Sequence, residues 1–284
     1  MRSAKARRCW LLVFVFVPLG LFVASAPAGA STRSKHERVT PSSRYVALGS
    51  SYAAGFGIAP LVPDAGACGR SELDYPHLVA QALHLQLDDV SCGGAVTANV
   101  LTTPQGSAPP QLDAVTASTR LVTMTIGGND VNYVGTAIVC GQPHATCAAT
   151  ANPAQTDAAF QVLPRSLTEV IDAVRAKAPK AIIVLVTYVR LVPPTPCPAL
   201  DYSPAATRLV ASMGARLERV FVKVARAEHV RLVDPYAIGA AHGPCAKGAN
   251  KWVAGLVATN GFEFHPTVAG HREMAHLVEE VLAS

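Results

Sequence analysis

The chain has 284 residues, half of them hydrophobic and only 15% charged, against roughly 25% charged in an average soluble domain, a composition that excludes a disordered chain and a collagen-like repeat. Its formal net charge of +5 overstates how basic the folded part is, because Arg2, Lys5, Arg7 and Arg8 all precede an apolar run from Trp10 to Ala24. Taking those four from the 24 basic residues leaves 20 against 19 acidic ones, a net charge of +1, so a nucleic-acid partner has no electrostatic support.

In chain order, the basic start, the apolar run and the small residues Ala28, Gly29 and Ala30 have the layout of a secretory signal peptide over residues 1–30. A retained membrane anchor is the competing reading, but Pro18 and Gly20 interrupt the run and leave it short of the 18 or more apolar residues a span needs. Residues 31–43 are polar and non-periodic and are expected to form a flexible lead-in, with one domain over 44–284. No later stretch is long and apolar enough to cross a bilayer, which predicts a soluble protein outside the cytoplasm. Once Cys9 is removed with the leader, six cysteines remain: Cys68, Cys92, Cys140, Cys147, Cys197 and Cys245. An even number in an exported chain reads as three disulfides. Six cysteines allow fifteen pairings, among which the short Cys140 to Cys147 loop favours the sequential set 68–92, 140–147 and 197–245. No tight Cys-x-x-Cys or Cys/His cluster suggests zinc.

Short apolar runs at Tyr45–Leu48, Asp89–Cys92, Leu121–Ile126, Ala181–Thr187 and Val230–Val233 are expected strands, the fourth being the continuous β-branched type that a parallel sheet buries on both faces. Between them lie helical patterns. One runs near Leu73–Leu85; one places Phe160, Leu163, Leu167, Val170, Ile171 and Val174 on one face; a third does so with Leu209, Met213, Leu217, Val220 and Val224. The last runs from Pro266 to Leu282, with proline at its start. Alternating strands and helices predict a three-layer α/β/α sandwich with a mostly parallel five-stranded sheet. In such a sheet ligands bind beyond the carboxyl ends of the strands.

Four segments near such ends carry polar groups suited to chemistry. Gly49-Ser50-Ser51 follows the first strand, Cys92-Gly93-Gly94-Ala95 the second, and Gly127-Gly128-Asn129-Asp130 the third, while His265-Pro266 precedes the last helix. Each alone is ordinary: a turn, a Gly-Gly pair, a helix cap, a surface histidine. In this order the four resemble the SGNH hydrolase superfamily of GDSL esterases and lipases, over nearly the whole chain from Tyr45 on. The six cysteines are similar to those of its secreted actinobacterial members.

The resemblance implies an SGNH, flavodoxin-like fold and a serine carboxylic-ester hydrolase needing no cofactor, metal or nucleotide. Its substrate would be a lipid or glycan acyl ester, and the protein is expected to be a monomer. Ser51 matches the nucleophile and His265 the general base. Gly94, Asn129 and the Ser51 N–H match the oxyanion-hole donors, with adjacent Gly93 as the competitor to Gly94. Two positions depart from the family pattern. Ser50 stands where the family has Asp, which opens the question of which serine attacks. Phe262 stands where it has the Asp that orients the histidine. The Phe262 main-chain carbonyl is therefore expected to hold the His265 ring, as in a Ser-His dyad, with the Glu263 side chain as rival and Asp234 as a weaker candidate. Without an ion-paired carboxylate, activity is expected to be modest or shifted towards higher pH. Asp130 is expected to bond backbone near its own turn, Arg190 to lie at the surface, His271 and His276 to be solvated or packing residues, and Trp252 and Tyr236 to form a pocket wall. A non-catalytic envelope-binding protein on the same fold and an acyltransferase using the same residues are the competing functions.

Overall fold

The computed structural model describes residues 38–142, 147, 152–193, 197 and 199–284. The expected signal peptide, its cleavage site and the first part of the lead-in lie outside these residues. Ser42 and Ser43 already pair with the folded part, the first donating its N–H to His84 and the second accepting from that of Gln86.

Strands β1 (Arg44–Gly49), β2 (Gln86–Asp89), β3 (Thr119–Thr125), β4 (Ile182–Val186) and β5 (Arg231–Val233) form one sheet in the order β2-β1-β3-β4-β5. Every neighbouring pair is parallel. β1 and β4 are apolar and buried along nearly their whole length, as a sheet covered on both faces requires. β3 carries buried threonines whose hydroxyls are matched: Thr123 pairs with the Tyr45 hydroxyl at 2.6 Å and Thr125 with that of Tyr75 at 3.2 Å, so their burial leaves no orphaned group.

β2 starts and ends three residues earlier than its apolar pattern predicts. It lies at the sheet edge with one partner and is only half-buried, so a run of apolar residues is a weak guide to its limits. Pairing nevertheless continues past Asp89, where Val90 and Cys92 donate their N–H groups to Ala47 and Gly49.

The helices are α1 (Ser51–Ala54), α2 (Tyr75–Leu83), α3 (Thr97–Leu101), α4 (Tyr133–Cys140), α5 (Pro153–Lys177), α6 (Pro204–Ala227), α7 (Pro235–Ile238) and α8 (Val268–Ala283). α2 packs on α8, while α5 packs on α3 and α6, and α4 on α6. Five of these starts obey one local rule: a short polar side chain accepts a hydrogen bond from a first-turn N–H, and proline often follows where no N–H is needed. Asp74, Asn152, Ser203, Asp234 and Thr267 are those caps. α8 therefore begins at Val268, behind the Thr267 cap, and not at Pro266.

The buried face of α5 is Phe160, Leu163, Leu167, Val170, Ile171 and Val174, as its spacing predicts. On α6 the buried face is rotated, with Val210 and Phe221 inside where Leu209 and Val220 are expected. Phe221 is the reason, since its ring packs edge-on against Tyr188 at 6.1 Å and turns the helix to that side.

Leu167 is fully buried while Val162 on the same helix is 58% exposed. Leu167→Ala should cost about 2–5 kcal/mol of unfolding free energy in urea. Val162→Ala should stay within about 0.5 kcal/mol.

Candidate active site

The chain runs from β1 to β2 on one side of the sheet and then crosses to β3 on the other side of β1, which creates a switch point between the carboxyl ends of β1 and β3. Ser51 sits two residues past the end of β1, at the first position of α1, where its own N–H has no intrahelical acceptor. Its hydroxyl lies 2.8 Å from Nε2 of His265, 214 residues further along the chain. Ser50 points elsewhere: its N–H donates to the Thr125 carbonyl at 2.9 Å, and its hydroxyl faces that carbonyl and the Tyr188 hydroxyl, each at 3.3 Å. The two serines are thus distinguished by geometry, and only Ser51 meets the imidazole.

The residues before His265 form a tight turn in which successive carbonyls have separate partners. The Phe262 carbonyl accepts the backbone N–H of His265 at 3.3 Å. The Glu263 carbonyl faces His265 Nδ1 at 2.7 Å. The Phe264 carbonyl accepts from the Tyr52 hydroxyl. The carbonyl that orients the ring is therefore that of Glu263, which corrects the expectation for Phe262. The cause is local: Phe264 is buried with φ of 54°, in the left-handed region, and the turn it makes directs the Glu263 oxygen at the ring. A bulky residue there is uncommon. It is held by its own N–H on the Gly255 carbonyl, and the next carbonyl, of His265, accepts from Ala254.

A carbonyl only accepts, so Nδ1 carries the proton and Nε2 offers a lone pair to Ser51. Burial drives the His265 pKa down to about 4, against smaller upward pulls from the Glu263 carbonyl and carboxylate. The ring is thus neutral through the neutral range, the state in which Nε2 can accept a proton. A shift of activity towards higher pH is expected from the sequence, but a ring whose pKa burial lowers points the other way, with the neutral form persisting to lower pH.

The other expected donors lie at the neighbouring strand ends. Gly93 donates its N–H to the Cys68 carbonyl at 3.0 Å, whereas among the described residues the Gly94 N–H has no acceptor. Gly94 has φ of +82°, a conformation that glycine adopts without strain. Asn129 is not a helix cap. One amide hydrogen goes to the Ala95 carbonyl at 2.8 Å, which ties the β3 loop to the Gly94 loop and leaves the other hydrogen available. Asp130 reaches further than expected, accepting the Thr97 N–H at 3.2 Å at the start of α3.

Disulfides join Cys68 to Cys92, Cys140 to Cys147 and Cys197 to Cys245. The first holds two glycine-bearing loops together. A side chain at Gly69 or Gly93 would run into the Phe56 ring, so the pair forms a slot for it. Phe56 meets Phe262 edge-on at 5.7 Å, and Phe262 meets the His265 ring at 5.4 Å. Phe262 is 42% exposed, which makes an apolar lip beside the Ser51–His265 pair.

The remaining candidates are occupied elsewhere. Asp234 accepts from Thr187 and from Ala237. Arg190 is half-buried, stacked 4.2 Å from the centre of the Tyr236 ring, so it is not a plain surface residue. Trp252 stacks on His242 at 3.7 Å. His271 is fully buried, its Nδ1 accepting from the Tyr75 N–H at 3.2 Å, and His276 lies at the surface beside Glu280. Sequence reasoning missed Tyr52, which braces the histidine loop, and Tyr188, whose hydroxyl accepts from Gly128 at 2.8 Å. The only signal for Tyr52 is an aromatic next to Ser51.

A serine past the first strand, paired with a histidine before the last helix on a doubly wound sheet, defines the class; comparison with known proteins agrees. Residues 47–273 match the GDSL-like lipase/acylhydrolase family. Lipase 2 of Streptomyces coelicolor is 30% identical over 93% of this chain and 92% of its own length. The crystal structure of an extracellular lipase from Streptomyces rimosus superposes with a TM-score of 0.73 at 29% identity, over 84% of this chain and 100% of that one. That of phospholipase A1 from Streptomyces albidoflavus gives 0.72 at 30% identity, over 84% and 99%. The chain belongs to the GDSL-like lipase/acylhydrolase family and is a carboxylic ester hydrolase.

The neutral imidazole sets the expected pH dependence. Activity should be full where His265 is neutral and lost only as pH falls through about 4, so log kcat/KM should be level from pH 6 to 8. Glu263→Gln keeps the carbonyl and should retain most activity over that range. A thousandfold loss in that variant, with folding intact, would give the orienting role to the side chain.

Proposed function

We propose that this protein is a secreted esterase or lipase that cleaves carboxylic esters through an acyl-enzyme on Ser51, with His265 as base. The observation that carries the reading is the 2.8 Å contact between Ser51 Oγ and His265 Nε2, with Nδ1 held by a carbonyl. His265 takes the hydroxyl proton as Ser51 attacks the ester carbonyl carbon. The negative oxygen that forms is met by the N–H groups of Ser51 and Gly94 and the amide of Asn129, each donor worth about 2.7–4 kcal/mol of transition-state stabilisation. His265 then protonates the leaving alcohol, and water repeats the sequence in reverse to release the acid. An alcohol leaves more readily than an amine, which favours esters over amides.

The apolar lip of Phe56 and Phe262 supports an acyl chain as the part of the substrate lying beside the histidine. Relatives named lipase and phospholipase A1 are compatible with that substrate class. Secretion is supported by the leader-like residues 1–30 and by three disulfides, which persist in oxidising compartments. Among the described residues no helix is long and apolar enough to cross a membrane.

Chromogenic esters of increasing acyl length should be hydrolysed by the oxidised protein lacking residues 1–30. Ser51→Ala should lower kcat by more than about 10⁴-fold. Turnover unchanged in that variant, or none in the folded parent, would contradict the proposal. Acyl transfer to an added alcohol in preference to water would reassign the enzyme as a transferase.

A further inference from the structure

A second polar cluster lies under the Gly55 turn, apart from the Ser51–His265 pair. Asp74 caps α2, with Oδ1 accepting the His77 N–H at 2.8 Å and facing His77 Nδ1 at 2.7 Å. Asp89 ends β2, with Oδ1 accepting from the N–H and hydroxyl of Ser91 at 3.0 and 2.7 Å. The two carboxylates have side-chain exposures of 0% and 4%, and His77 one of 28%. Among the described residues, Oδ2 of each aspartate is buried with no hydrogen-bond donor facing it. Asp89 Oδ2 lies 3.9 Å from His77 Nδ1, and donor atoms of all three residues fall within 4.8 Å of one another.

Two buried carboxyls side by side are costly unless a proton is shared between them, as when Asp74 accepts from the Asp89 carboxyl, or a cation takes that proton's place. The neighbouring cation, Arg70, spends a guanidinium N–H on the Ser91 carbonyl at 3.2 Å. Burial, and for Asp89 the nearby Asp74, raise both carboxyl pKa values well above the usual range, so the pair retains a proton or needs another positive charge.

We propose that Asp74, His77 and Asp89 form a binding site for one divalent zinc-class cation that ties the start of α2 to the end of the edge strand. Two carboxylates and one imidazole offer three ligands, and a water entering beside the partly exposed His77 would supply the fourth, the tetrahedral set zinc favours. Calcium is the poorer fit, since it takes six to eight oxygen ligands and no nitrogen. On binding, the proton held by the carboxyl pair leaves to water, and the His77 imidazole gives up its 2.7 Å Nδ1 contact with Asp74 Oδ1 and carries its proton on Nε2, so that the Nδ1 lone pair takes the ion. The proposal is independent of the esterase reading, because the cluster contains none of the residues that reading uses.

The test is calorimetric titration of zinc chloride into the EDTA-treated, dialysed protein at neutral pH, with thermal unfolding followed in parallel. One equivalent should bind and raise Tm, by the linkage that stabilises any ligand-binding native state. His77→Gln should weaken zinc binding by more than about 100-fold, as should Asp89→Asn, while His276→Gln, at an exposed histidine, should leave it unchanged. Should Asp89→Asn fail to fold, His77→Gln alone decides, because that side chain is partly exposed. No saturable zinc binding, unchanged affinity in His77→Gln, or binding of calcium in preference to zinc would each overturn the proposal.

Discussion

A single imidazole, buried, neutral and held at both nitrogens, is the point on which the candidate site depends. His265 Nδ1 faces the Glu263 carbonyl at 2.7 Å and Nε2 faces Ser51 at 2.8 Å. Each contact does what the other cannot. The carbonyl fixes the tautomer without bringing in a negative charge, and the tautomer leaves the lone pair on the serine side. Burial keeps the ring neutral at neutral pH, the state that the proposed base requires. A carboxylate in the same place would stabilise the imidazolium more but would itself need desolvation and a partner. The carbonyl is already part of the chain and costs no buried charge.

Much of the surrounding structure serves to hold that ring. The turn from Phe262 to His265 is pinned by three carbonyls with three different donors, and by Gly255 and Ala254 on the adjacent segment. Tyr52 connects the turn back to α1, so the helix that presents Ser51 and the loop that presents His265 are braced by one hydroxyl. Burial raises the Tyr52 pKa above its ordinary value, which keeps that hydroxyl protonated and a donor at neutral pH. On the other side, Ser50 and Tyr188 tie the end of β1 to the β3 loop, so a neutral network occupies the position where the family has an aspartate.

The parts legible in the sequence are those set by local chemistry. Apolar β-branched runs gave β1, β3 and β4, apolar residues at three- and four-residue spacing gave the long helices, and four short blocks in order marked the site. Less legible was whatever depends on how distant segments meet. β2 is an edge strand and carries a weak apolar signal. Phe221 turned α6 through a contact with Tyr188 that no spacing within the helix announces. Whether Phe262 or Glu263 supplies the carbonyl rests on the left-handed conformation of Phe264, and no residue type there signals it, since glycine would have been the expected choice. Asp74 and His77 have helix-start spacing, but nothing in the sequence reveals that Asp89 lies beside them.

The most direct test of the buried, carbonyl-held imidazole is ¹⁵N NMR of the histidine side chains in the folded protein, with His265 assigned by substitution. The account predicts one ring, absent from a His265→Gln variant, that is neutral at pH 7 with its proton on Nδ1, and that stays neutral as pH is lowered to about 5, because burial holds its pKa near 4. An imidazolium at pH 7, or a neutral ring protonated on Nε2, would contradict it.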